Sequence, residues 1–338
     1  MTQQPIVHIG YHKTATTWFQ ERFYPHVISH RFVSPQLVRE SLLNPHAFGF
    51  DPEVAREALN AADKRPPILC DENLSGGFRT GGMMGALSKE VAERIYRVLP
   101  DAQVVLFIRH QVDMAAAIYA QYLKKGGTYG PRRYLFPARH DIEARRRPFK
   151  RPLFSFDYLY YRELVRHYQG LFGADNVCVF TYEDFRHEPE AFVADFRERM
   201  GVVTDTDAFD FSPSNSSFRS RTLKLSRLAN LFTYKWDADK RTLLPLLPSK
   251  ALNPLLEGFN RTPLAGRRLS AEELLGQDTV GFINEYFADS NRRLSDETGL
   301  ALRQHIYPGC NTPQDTGMPT ADQSSRAACD SLPASEHG

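Results

Sequence analysis

The chain has 338 residues, with 42 Lys and Arg against 40 Asp and Glu, a formal net charge of +2 at pH 7 and 42% apolar residues. That balance excludes a polybasic, histone-like protein, and the apolar fraction supplies ample core. Mean hydropathy is −0.43, and no run approaches the ~18 apolar residues of a membrane helix. The start, MTQQPIVHIG, lacks a basic stretch leading into an apolar one, so a soluble, cytoplasmic chain with no integral membrane segment is expected. Cys70, Cys178, Cys310 and Cys329 show no CxxC spacing, which predicts reduced thiols rather than a disulfide framework or zinc site.

In chain order, residues 5–10 form a short apolar run ending at Gly10, and apolar positions from Thr16 onward recur at helical spacing through Trp18, Phe19, Phe23 and Val27. The expected grammar is strand, tight loop, helix. Asp51-Pro52 starts a helix through Ala62, and residues 68–71 read as a second strand between prolines and a Ser-Gly-Gly turn. A helix over 87–99 follows. DAQVVLFIRH then reads as a strand buried on both faces, as in parallel sheets. Helices are expected over 113–125, 157–172 and 189–200, with a strand over 176–182. Alternating strands and helices predict a three-layer α/β fold of P-loop type, with a mainly parallel sheet and a helical C-terminal elaboration.

The pattern breaks over 126–155, a long basic loop without regular structure. Residues 213–268 are rich in Ser, Arg, Leu and Pro and read as helices joined by irregular segments. One or two helices span 270–298. A single α/β domain over 1–308 and a disordered tail over 309–338 are expected.

Gly10-Tyr11-His12-Lys13-Thr14-Ala15-Thr16-Thr17-Trp18 carries the chemistry. A loop between a strand and a helix presents amides without intrahelical partners at the positive end of the helix dipole. Lys13 adds a full charge, and Thr16 and Thr17 add hydroxyls. The loop is not a Walker A motif, because Lys13 follows Gly10 by three residues.

HKTATTW resembles the 5′-phosphosulfate loop of sulfotransferases that use 3′-phosphoadenosine 5′-phosphosulfate (PAPS), with a pattern near PKSGTTW or HKTGTTW. Lys13, Thr14, Thr16, Thr17 and Trp18 match. Ala15 replaces the usual glycine, which a negative φ at that position would allow. VVLFIRHQVDMAAAIYAQYLK resembles the family's 3′-phosphate element: Arg109 falls on the phosphate-pairing arginine, and Ala117 replaces a serine. NVCVFTYEDFRHEPEAFVADFRERMGV and EYFADSNRRLSDETGLALRQHIYP match later segments more weakly.

The resemblance implies sulfuryl transfer from PAPS to a hydroxyl or amine, with a glycan or glycolipid acceptor ahead of a small phenol. The positive field then comes from lysine and amides, without a metal. Lys13 takes the leaving-group role. Glu72, at the carboxyl end of the second strand, matches the catalytic glutamate of glycan-modifying members, and His12 is the rival base. Cofactor contacts are expected from Lys13, Thr14, Ala15, Thr16, Thr17, Trp18 and Arg109, and from Arg219 and Arg221 in the Ser/Arg stretch that follows Ser214. The basic residues of 132–151, interleaved with Tyr134, Phe136 and Phe149, suggest an acceptor-side lid. No nucleic-acid module is present, so a nucleic-acid partner is not expected. The alternatives are a P-loop phosphotransferase of the kinase type and a non-catalytic nucleotide-binding homologue.

Overall fold

Five parallel strands build the central sheet: β1 (Ile6–Gly10), β2 (Arg31–Phe32), β3 (Pro67–Cys70), β4 (Gln103–Ile108) and β5 (Val177–Thr181), in the order β2-β3-β1-β4-β5. The structure is a computed structural model that describes residues 3–78, 83–147, 153–212, 217–234, 240–300, 302 and 307. The expected tail, Phe149, Lys150, Arg151 and Ser214 lie outside them.

Strand side chains alternate between faces, and both faces are buried. Val7, Ile9, Leu69, Val104, Leu106 and Ile108 point into one core. Ile6, Ile68, Cys70, Val105, Phe107 and Phe180 point into the other. That two-sided burial explains the unbroken VVLFI run in β4. The first core is closed by helices Ala86–Val98, Gln111–Lys124, Tyr161–Phe172 and Gln277–Thr298. The second is closed by the helical residues 16–26 and by helix Pro189–Met200, through Phe19, Phe23, Phe192 and Phe196. Three layers result, as the alternation predicted.

The strand order also fixes where a ligand cleft opens. From β1 the chain passes over β3 to reach the edge strand β2. From β4 it departs the other way, to β5. Neighbouring strands whose exits diverge leave a crevice at their carboxyl ends, so the ends of β1 and β4 flank it.

Several elements differ from expectation. The helix after Asp51 spans Pro52–Ala58, with Asp51 Oδ1 accepting from the amides of Glu53 and Val54. The helix expected from 157 is a 3₁₀ turn, Phe156–Leu159, followed by helix Tyr161–Phe172. The basic stretch is not structureless. It forms short helices Pro131–Leu135, Pro137–His140 and Ile142–Arg146. Aromatic packing holds them: Tyr134 stacks on Tyr122 at 4.1 Å, and Phe136 meets Phe282 edge-on at 5.1 Å. Arg132 pairs with Asp278. Among the described residues, no helix is long and apolar enough to cross a membrane.

Candidate functional site

The site begins with the backbone after β1. Gly10 has φ +85°, and a Cβ there would lie 3.2 Å from Cα of Glu72. Glycine thus lets the end of β1 pass against the 3₁₀ turn Glu72–Ser75. Lys13 (φ 65°) and Ala15 (φ 68°) are both left-handed, and Thr14 between them is not. Left-handed residues at alternate positions are the backbone pattern of a nest, a form whose amides can converge on an anion. Ala15 also starts the helical residues 16–26, with its carbonyl accepting from Phe19 N at 3.1 Å. The first helical amides lack intrahelical acceptors.

Ala15 therefore departs from expectation. It keeps the left-handed conformation that glycine adopts freely, at a cost of roughly 1–2 kcal/mol for a Cβ near the following carbonyl. The hydroxyls of Thr14 and Thr16 bond within the loop. Thr14 Oγ1 donates to the carbonyl of Tyr11 at 2.6 Å, and Thr16 Oγ1 donates to the same oxygen at 3.3 Å. Each hydroxyl has one proton, so in this conformation both brace the loop from inside. Thr17 is half-buried at the start of the helix.

Arg109 leaves the end of β4 beside this loop. Its Nη1 donates to the carbonyl of Lys13 at 3.1 Å, and its guanidinium lies 4.8 Å from the centre of the Tyr182 ring. Tyr161 Oη donates to the Arg109 carbonyl at 2.7 Å, fixing the backbone. Arg109 Nε is buried with no hydrogen-bond partner among the described residues, an unsatisfied donor beside the nest.

The third wall is the turn after β3. Asp71 is fully buried and caps that turn: its Oδ1 accepts from Asn73 N at 2.8 Å, and its Oδ2 meets Arg39 Nε at 2.6 Å. Capping falls to Asp71, so the Glu72 side chain is left to the cleft. His12 Nε2 lies 3.9 Å from Glu72 Oε1. On its other side, His12 Nδ1 lies 3.3 Å from Tyr158 Oη, which also meets Ser75 Oγ at 2.8 Å. His12 is 6% exposed at its side chain and Glu72 36%, so Glu72 is the member of the row that reaches solvent. Tyr158 and Ser75 carry no signal in the sequence. Tyr158 lies in an aromatic run, FDYLYY, whose spacing does not distinguish it from its neighbours.

Electrostatics set this cluster apart. Burial pushes the Glu72 carboxyl above its usual range, and Lys13, the largest opposing influence, pulls it down only in part. Burial lowers the Lys13 ammonium, with Glu72 opposing and Arg109 adding repulsion. Lys13 is exposed at the surface of the loop. Burial thus works against the charged form of each group, and each group's charge favours that of the other.

The remaining expected residues have contacts of their own. Trp18 is buried under the loop, stacked on Phe211 at 5.1 Å, with Nε1 donating to the Asp210 carbonyl at 2.8 Å. Arg219 precedes helix Ser220–Ala229, and its amide donates to Asn260 Oδ1 at 2.7 Å. Arg221 Nη1 reaches the Leu264 carbonyl at 3.4 Å. No described contact joins either arginine to the loop. Ala117 is half-buried in helix Gln111–Lys124. Among the described residues, no group of three or more His, Cys, Asp or Glu is arranged to hold a metal.

The chain is similar in structure to a sulfotransferase from Alicyclobacillus acidocaldarius. The match has 17% sequence identity and a TM-score of 0.43, and covers 68% of this chain and 94% of that one. No protein-family model and no curated protein matches the chain.

Proposed function

We propose that this chain transfers a sulfuryl group from PAPS to a hydroxyl or amine acceptor of the glycan or glycolipid class. The observation that carries the reading is the meeting of Lys13, its nest of amides and Arg109 at the β1–β4 crevice. A nest plus a lysine suits a 5′-phosphosulfate, and Arg109, with a buried donor unsatisfied, suits a second phosphate a short distance away. The fit agrees with the resemblance of HKTATTW and VVLFIRH to the corresponding sulfotransferase elements.

PAPS supplies an activated sulfuryl group whose leaving group is a phosphate. In the transfer, the acceptor oxygen forms a bond to sulfur as the bond from sulfur to the phosphate oxygen breaks. Glu72 takes the acceptor's proton; burial raises its pKa and so makes the carboxylate a stronger base than an exposed one. Lys13 and the loop amides stabilise the charge that gathers on the departing phosphate oxygen. His12, enclosed between Glu72 and Tyr158, orients the carboxylate. The short helices of 131–146, with their arginines and aromatics, take the acceptor side.

The test is incubation with sulfur-labelled PAPS and a panel of glycan, glycolipid and phenolic acceptors. Label should pass to at least one saccharide acceptor and depend on Lys13. Phosphate transfer from ATP instead would establish the kinase alternative. Nucleotide binding with no transfer to any acceptor would establish the non-catalytic one.

A further inference from the structure

The region from Ser217 to Arg268 differs in charge from the rest of the chain. It carries eleven Lys and Arg against three Asp and Glu, and the rest carries 31 against 37. It is also where apolar surface is left in water. Of eighteen large apolar side chains exposed among the described residues, ten lie between Leu225 and Leu264. A contiguous apolar run, Leu243-Leu244-Pro245-Leu246-Leu247-Pro248, is exposed at every position, with Leu243 and Leu246 each 65% exposed.

This run is held in place. Leu243 N donates to the Leu231 carbonyl at 2.8 Å and Leu246 N to the Phe232 carbonyl at 3.1 Å. Thr233–Tyr234 pairs in parallel with Leu247–Pro248. These bonds anchor the loop to Leu231–Tyr234, and its leucines stay exposed, as do Phe232 and Tyr234. The adjoining helix Ser249–Asn260 adds Leu255, 72% exposed. Exposed cations flank the run: Arg241 before it, Lys250 after it, Lys224 and Arg261 on neighbouring segments.

We propose that this face docks the protein peripherally on an anionic lipid bilayer, with the 243–248 leucines in the acyl boundary and the flanking lysines and arginines at the headgroups. Exposed apolar side chains on an anchored loop, flanked by exposed cations, are what an interfacial site requires. Charge decides among occupants. A second copy would set one strongly basic face against another. Residues 311–338 carry acidic residues but only Met318 and Leu332 as large apolar side chains, too few to cover the leucines. This inference does not depend on the reaction proposed for the cleft.

The test is co-sedimentation of the full chain with phosphatidylcholine vesicles with and without phosphatidylglycerol. Binding should be at least about tenfold stronger with the anionic lipid and weaken as salt rises. Leu243→Ser/Leu246→Ser should abolish it. Arg241→Glu/Lys250→Glu should remove the anionic preference. Amide exchange of the unmodified protein should slow at 241–250 on vesicle addition, a readout that needs no variant. Equal or absent binding to both vesicles overturns the proposal, as does a concentration-dependent dimer that protects 241–250 without lipid.

Discussion

Arg109 and Lys13 are 96 positions apart in sequence and share one hydrogen bond, from Arg109 Nη1 to the Lys13 carbonyl at 3.1 Å. It spans the crevice between the ends of β1 and β4 and holds the strand-end arginine to the left-handed backbone of the loop after β1. One cation is thereby tied to the nest that the other cation belongs to.

Arg109→Ala should weaken binding of adenosine 3′,5′-bisphosphate by about 2–4 kcal/mol, the worth of a charge-assisted hydrogen bond to phosphate in a partly desolvated site. The acceptor KM should change little. Arg109→Lys should recover only part of that affinity, because a single ammonium cannot reach the Lys13 carbonyl and a phosphate with the same fork. Calorimetric titration of the three proteins checks this; equal affinities would remove Arg109 from the site.

Ala15 gives a stability prediction. Its φ of 68° costs a side chain about 1–2 kcal/mol, while glycine adds about 0.5–1 kcal/mol of unfolded-chain entropy. Ala15→Gly should therefore stabilise the protein by up to about 1 kcal/mol, read from denaturant midpoints at unchanged slope. A loss of stability would mean that the loop does not hold this conformation in solution.

Glu72→Gln should lower turnover by about 10²-fold or more, with nucleotide affinity nearly intact. The sign of its stability effect is opposite. A carboxyl whose folded pKa is raised binds its proton more tightly in the fold, so the fold loses stability as pH rises past the ordinary carboxylate value. Replacing Glu72 by neutral Gln should raise the melting temperature at neutral pH and have little effect near pH 4. In the unmodified protein, the proposed transfer should quicken with pH through a titration above the usual carboxylate range. His12→Asn should slow turnover less than Glu72→Gln; the reverse order, with binding preserved, would make His12 the base.

His8 provides a pH dependence away from the site. It is fully buried in β1, stacked on Phe107 at 4.9 Å, with Nδ1 2.8 Å from Tyr24 Oη, and burial lowers its pKa to about 3. The unfolded chain takes up this proton near pH 6.5 and the folded chain only near 3. Stability should therefore fall as pH drops through that window. His8→Leu should flatten the slope of stability against pH between about 3 and 6.5; an unchanged slope would exclude His8 as its source.

The sheet core was legible because its signals are local. β4 is a continuous apolar run, and helix Pro189–Met200 starts at a proline and ends at left-handed Gly201. β2 was not legible, since two residues carry no period. The helices of 131–146 are invisible in the sequence because their order comes from Tyr122 and Phe282, which lie outside the segment. In the site, Lys13, Arg109 and Glu72 were readable as charged residues at strand ends. The conformation of Ala15 was not, because the loop imposes a φ that alanine disfavours. Tyr158 was hidden because its role depends on a 3₁₀ turn meeting His12 across 146 positions.

The proposed reaction requires the cleft to hold a nucleotide bearing phosphates at both the 5′ and 3′ positions. Thermal unfolding with adenosine 3′,5′-bisphosphate and, separately, with ATP tests it most directly, because a ligand that binds only the fold raises its melting temperature with concentration. The bisphosphate should give a clear, saturable upward shift that Arg109→Ala removes, and ATP a much smaller one. Equal shifts from both nucleotides, or a bisphosphate shift untouched by Arg109→Ala, would contradict it.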